Sequence, residues 1–127
     1  SFDWTQYYQV ARLLLGRAGS DATDEAKQRS AISRAYYAVF NLALEYINVI
    51  EGEDAIPRNR DVHYAVGEYF QNRRDRSSQE IGTHLSRLRQ ERNRADYRSD
   101  MRDLEKIAND CLSRANLVMQ LLGKLKR

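Results

Sequence analysis

Apolar residues recur every three or four positions along nearly the whole chain, and only two stretches concentrate helix breakers, so the pattern predicts helices and no strands. The first predicted helix runs from about Asp3 to Ala18, with Tyr7, Val10, Ala11, Leu14, Leu15 and Ala18 on one face, and stops at Gly19-Ser20. A second begins near Thr23-Asp24, where a side-chain oxygen can accept from the first free amides. In it Ala31, Ala35, Ala38, Leu42 and Val49 form one stripe, while Ile32, Tyr36, Phe40, Ala43 and Ile47 spread around the opposite side. Only Ser30, Arg34, Asn41, Glu45 and Asn48 keep a strip polar. This helix should therefore be buried on both flanks, centrally in a bundle or in a subunit interface. Its alanines let another helix approach closely.

Glu51 to Arg60 holds Gly52 and Pro57 and reads as a loop before a short third helix with Val62, Val66, Tyr69 and Phe70 on its apolar face. A polar turn from Gln71 to Arg76 follows. Ser77-Ser78-Gln79-Glu80 has the Ser-x-x-Glu spacing of a reciprocal helix cap, so the fourth helix is predicted to start there. The fifth is predicted from Ser99-Asp100 through Leu104, Ile107, Ala108, Cys111, Ala115, Val118, Leu122 and Leu125. It ends on Lys124-Leu125-Lys126-Arg127, cations that suit the helix dipole. The result is an all-α, up-and-down bundle of four to five helices, one domain over residues 1–127.

Composition narrows the function. A chain 42% hydrophobic and 31% charged is globular, and no apolar run approaches the roughly 20 residues of a membrane span. Without a basic-then-apolar leader, the expected compartment is the cytoplasm. The single Cys111 excludes an internal disulfide and a zinc cage of paired thiolates, and its spacing predicts a core residue. The net charge is only +3, but residues 73–98 hold eight arginines against four acids, so the basic excess lies in one segment. Such a surface suits RNA, an acidic protein partner or a wet helix face.

Within that segment Ile81, Leu85 and Leu88 set a buried stripe whose continuation lands on Arg92 and Ala95. A buried arginine needs a partner, and Asp96 or Glu91 can supply it unless the side chain faces an interface or ligand. At about 100° per residue, Tyr97 lies roughly 140° around the helix from Arg92, so the two meet only if the helix ends or an opposing subunit supplies one of them. His63 falls at a helix start, where a structural hydrogen bond is its ordinary use, and His84 falls on a flank expected to be solvated. Tyr36, Tyr37 and Phe40 read as core or interface anchors. No carboxylate cluster, metal-spaced histidines, glycine-rich phosphate loop or Ser/His/Asp set is present, so neither a metal nor a cofactor is expected.

Two segments carry a resemblance. Ser33-Arg34-Ala35-Tyr36-Tyr37-Ala38-Val39-Phe40 and Arg92-Asn93-Arg94-Ala95-Asp96-Tyr97 resemble the prokaryotic HEPN family, in the branch that pairs Ser-Arg-Ala-Tyr-Tyr-Ala with Arg-x-x-Ala-Asp-Tyr. His63, seven residues before Phe70, resembles that branch's intervening histidine. The resemblance implies a helical bundle that usually dimerises, is often encoded beside a nucleotidyltransferase, or acts in toxin and defence systems. Many members are metal-independent ribonucleases with an arginine, a polar residue, a spacer and a histidine. Arg92 and Asn93 match the first two positions, whereas Tyr97 stands at the histidine position. A phenol with a reference pKa of about 10 is a weak base at neutral pH.

The resemblance therefore implies a homodimer in which Arg92, Asn93 and Tyr97 of two copies line one basic cleft. Arg34, Arg89, Arg94 and Arg98 would bind RNA phosphates there, with His63 as proton carrier in a ribonuclease. The alternative is a non-catalytic module that binds or regulates a nucleotidyltransferase, and Tyr97 in place of histidine favours it.

Overall fold

The computed structural model describes residues 1–19, 21–57 and 59–125. Five helices follow in order: α1 Thr5–Arg17, α2 Asp24–Glu51, α3 Val62–Gln71, α4 Arg76–Tyr97 and α5 Leu104–Lys124. No strand occurs among the described residues. Ser20 of the first predicted stop, Arg58 of the loop, and Lys126 and Arg127 of the basic end lie outside them.

The long α2 is the bundle's centre, with α1, α4 and α5 packed on it and α3 held mainly against α4. Its sequence explains this position. Ala31, Ile32, Ala35, Tyr36, Ala38, Val39, Phe40, Ala43, Tyr46 and Ile47 are all buried, so apolar contact surrounds most of the helix. From α3 come Val66 and Phe70, and from α5 Ala108, Cys111, Ala115 and Val118. Full burial of a side chain such as Phe70 contributes about 1.5–3 kcal/mol. The α4 stripe is buried as its spacing requires, Arg92 and Ala95 included.

Several local expectations are corrected. Val49, expected in the α2 stripe, is 64% exposed: at that end only the face of Ala43, Tyr46 and Ile47 stays covered, and Val49 stands off its edge. Val10 is likewise exposed, because α1 lies on the outside of the bundle and Tyr8, Ala11, Leu14 and Leu15 occupy its covered face. Thr23 makes no side-chain cap, since its hydroxyl donates instead to Asp21 Oδ1 at 2.6 Å.

The α4 cap is Asp75, whose carboxylate accepts from the Ser78 N–H at 2.9 Å, so the helix starts before the predicted Ser77. A carboxylate at the N-cap satisfies a free amide and meets the positive end of the dipole. The fifth helix starts at Leu104, later than expected, because Asp103 adopts a left-handed backbone at φ 55 that breaks helical continuity.

Candidate functional site

Three elements converge where the singled-out residues meet. The middle of α2 supplies Arg34, Tyr36, Tyr37 and Phe40; the first turn of α3 supplies His63; α4 supplies Arg89 and Arg92. Asp61 organises the junction. One carboxylate oxygen caps α3, accepting from the His63 and Tyr64 N–H groups at 3.0 and 3.3 Å, and the other accepts from Arg89 Nη2 at 2.7 Å. Arg89 and those amides hold the Asp61 carboxyl below the usual carboxylate range.

His63 Nδ1 lies 2.7 Å from Tyr36 Oη, and the imidazole stacks on Phe40 with centroids 4.3 Å apart. Burial, then the charges of Arg92 and Arg89, push the His63 pKa below 6.5, with Asp61 opposing, so the ring is neutral at neutral pH. Tyr36 is almost fully buried and its phenol is pushed well above 10 by burial, so it keeps its proton.

Arg92 is 8% exposed, and its guanidinium sits 5.3 Å from the ring centroids of both Tyr36 and Tyr37. Of the two expected acidic partners it meets Asp96, at 3.8 Å, whereas Glu91 pairs with Arg94 at 2.8 Å. Arg34 packs over Tyr37 at 5.6 Å and over Tyr7 at 4.8 Å. Cations and aromatic rings therefore alternate from Tyr7 through Arg34, Tyr37 and Arg92 to Tyr36, whose ring stacks with that of the neutral His63. The Nε atoms of Arg89 and Arg92 are both buried without an acceptor.

The other predicted site residues lie elsewhere. Asn93, Arg94, Tyr97 and Arg98 are exposed, and Tyr97, at 80%, points away from buried Arg92 as the 140° spacing requires. One copy of the chain thus separates Tyr97 from Arg92, while it joins His63 to Arg92 through Tyr36. His84, expected to be solvated, is half-buried with Nδ1 3.0 Å from Arg114 Nη1, because α5 packs against that flank of α4.

The chain matches the HEPN domain family model over residues 7–125. It belongs to the HEPN domain family. No match was found among curated proteins or solved structures. In this HEPN domain the second motif splits into an inward pair, Arg92 and Ala95, and an outward set of Asn93, Arg94 and Tyr97.

Two further groups were not legible in the sequence. Arg29 donates to the carbonyls of Ala95, Arg98 and Ser99, at 2.9, 2.5 and 3.0 Å, and so fastens the end of α4 to α2. A cavity of about 290 Å³ opens between α2, α3 and α4, with His63 and Arg89 in its wall. Among the described residues no three His, Cys, Asp or Glu side chains are grouped to hold a metal ion, and no helix is long and apolar enough to cross a membrane.

Proposed function

We propose that this HEPN domain binds RNA, taking its phosphates on Arg89 and Arg92, with Arg34, Arg94 and Arg98 extending the basic surface. One observation carries the reading: two neighbouring arginines each leave a buried Nε–H without an acceptor beside a neutral imidazole. A buried donor without a partner costs about 1–3 kcal/mol, so a slight turn of either guanidinium toward a phosphate oxygen gains a hydrogen bond. Bidentate geometry and charge make arginine well suited to that oxygen.

Cleavage, where it occurs, runs through His63 and not Tyr97. With its Nδ1–H donated to Tyr36 Oη, a neutral imidazole keeps Nε2 free to take the ribose 2′-hydroxyl proton; the 2′-oxygen bonds to phosphorus as the 5′-oxygen leaves and takes a proton from water, while arginine stabilises the charge on the phosphate oxygens. Homodimerisation would bring the outward Asn93 and Tyr97 of one copy toward the cluster of another. Labelled single-stranded RNA incubated in EDTA with wild type, Arg89→Ala and Arg92→Ala tests the reading. Salt-sensitive retention that falls in both variants supports it. Absence of retention at low salt, or retention unchanged in both variants, defeats it.

A second reading rests on Tyr97: an 80% exposed tyrosine beside Asn93 and Arg94 is an unusual surface group, and it fits a contact with a nucleotidyltransferase partner. Co-purification with such a protein, lost in Tyr97→Ser and kept in Arg92→Ala, would favour that reading.

A further inference from the structure

The cavity between α2, α3 and α4 is a formed space with its own chemistry. At about 290 Å³ it lies just below the range of roughly 300–1,000 Å³ that holds drug-sized ligands, so it suits one flat ring system with little more. Phe40 and the His63 imidazole, already stacked, form part of its wall, and Tyr64, 60% exposed, stands at α3 beside them. Gly67 also lines it, and a Cβ built there meets nothing within 4 Å, so this position has open space beside it.

Two of its lining residues are charged. Arg89 lines the cavity with a side chain 30% exposed and an Nε that lacks an acceptor. Glu68 also lines it, and among the described residues its carboxylate makes no ion pair and accepts no hydrogen bond. Aromatic walls, one cation and one carboxylate match a nucleobase attached to a phosphate: stacking holds the ring, arginine the phosphate, and the carboxylate the base edge.

Resting on the RNA-binding reading above, we propose that this cavity receives one unpaired base of a single-stranded RNA, with guanine preferred. Guanine is the base whose Watson–Crick edge offers two adjacent N–H donors, the pattern a carboxylate accepts in bidentate fashion. The phosphate joined to that base then falls to Arg89. The surface arginines follow the rest of the strand without reading its sequence.

Fluorescence anisotropy with the full chain tests this, using a labelled oligouridine that carries a single central guanosine, and the same strand with an abasic site there. Wild type is expected to bind the guanosine strand at least about ten-fold more tightly, in line with the free energy of one base stack. Gly67→Leu fills the open space at a helical site that tolerates it, so its circular dichroism stays native while the two strands become equivalent. Glu68→Gln is expected to erase the advantage of guanosine over a third strand carrying adenosine at that position, while keeping the advantage over the abasic strand.

Equal binding of both strands by wild type, or an unchanged ratio in Gly67→Leu, overturns the cavity while leaving RNA binding intact. A flat response to base identity in wild type overturns the role of Glu68. Failure of wild type to hold any RNA at low salt removes the RNA-binding reading and this proposal with it. Binding of free guanosine monophosphate without binding of the strand overturns the assignment to RNA.

Discussion

Tyr36 Oη and His63 Nδ1 stand 2.7 Å apart, and this bond ties the middle of α2 to the first turn of α3 inside a wall of aromatic rings. Its proton state follows from its surroundings. Burial and two arginines disfavour an imidazolium, and Asp61 alone acts against them.

The first expected outcome is a pH-dependent stability. The folded His63 pKa lies below the unfolded value of 6.5, so as pH falls through that window the unfolded chain binds the proton first. Stability is complete above 6.5 and declines toward the lower folded value. His84, lowered by burial and then Arg114, acts with the same sign. The lowered carboxylates of Asp61 and Asp75 act only below the ordinary aspartate value of 3.8, as a separate acid step. Urea midpoints between pH 7.5 and 5 should fall in wild type and stay flat in His63→Asn/His84→Asn. A slope unchanged in the double variant would assign the effect elsewhere.

Arg92 separates packing from recognition. Its guanidinium is buried over two rings but has one acidic neighbour at 3.8 Å and an unpartnered Nε. Arg92→Met keeps the apolar stem and removes a poorly compensated charge, so its urea stability should stay within about 1 kcal/mol of wild type. Arg92→Ala leaves a void beside Tyr36 and should cost about 2–3 kcal/mol. Both should weaken RNA retention and reduce its salt dependence by about one phosphate contact. Full RNA binding in a stable Arg92→Met would confine Arg92 to packing.

Two glycines give opposite results. At Gly82 an added Cβ would lie 2.7 Å from Gln71 Cγ and 3.0 Å from the Gln71 backbone nitrogen, so α3 and α4 must separate. Gly82→Ala should destabilise by about 1–3 kcal/mol. At Gly67 nothing stands within 4 Å, and Gly67→Ala should stabilise by about 0.5–1 kcal/mol through helix propensity alone. Thermal unfolding of the two single variants checks the contrast. Equal shifts of the same sign would mean that the close approach is relieved at no cost.

The bundle was legible because helical spacing survives any tertiary arrangement: Ile81, Leu85, Leu88, Arg92 and Ala95 are all buried, as one stripe demands. The inward Arg92 and outward Tyr97 followed from the same rotation. Helix ends were less legible, since Asp75 and Ser77 both offer caps and only the backbone of Asp103 decides where α5 begins. Asp61 has the residue type of a cap before Val62, yet its grip on Arg89 depends on how α3 lies against α4. The cavity is legible only afterwards, because Gly67 reads in sequence as a weak helix position and not as open space.

Arg29 is the most consequential residue that periodicity missed. Its donors reach Ala95, Arg98 and Ser99, about 70 positions away, so only the packing of α2 against α4 brings them together. These carbonyls belong to the end of α4 and the segment after it, where helical partners run out, and a cation there also suits the negative end of the dipole. Arg29→Ala should cost about 1.5–3 kcal/mol and speed amide exchange from Tyr97 to Asp103 more than in α2. Arg29→Lys should recover little of this, since one ammonium cannot reproduce the planar fork. Glu25→Ala, which breaks only the exposed pair with Arg29 at 3.2 Å, should change stability by about 0.5 kcal/mol at most. If Arg29→Ala protects those amides as wild type does, α4 ends where it does without Arg29, and the outward set of Asn93, Arg94 and Tyr97 is positioned by the core alone.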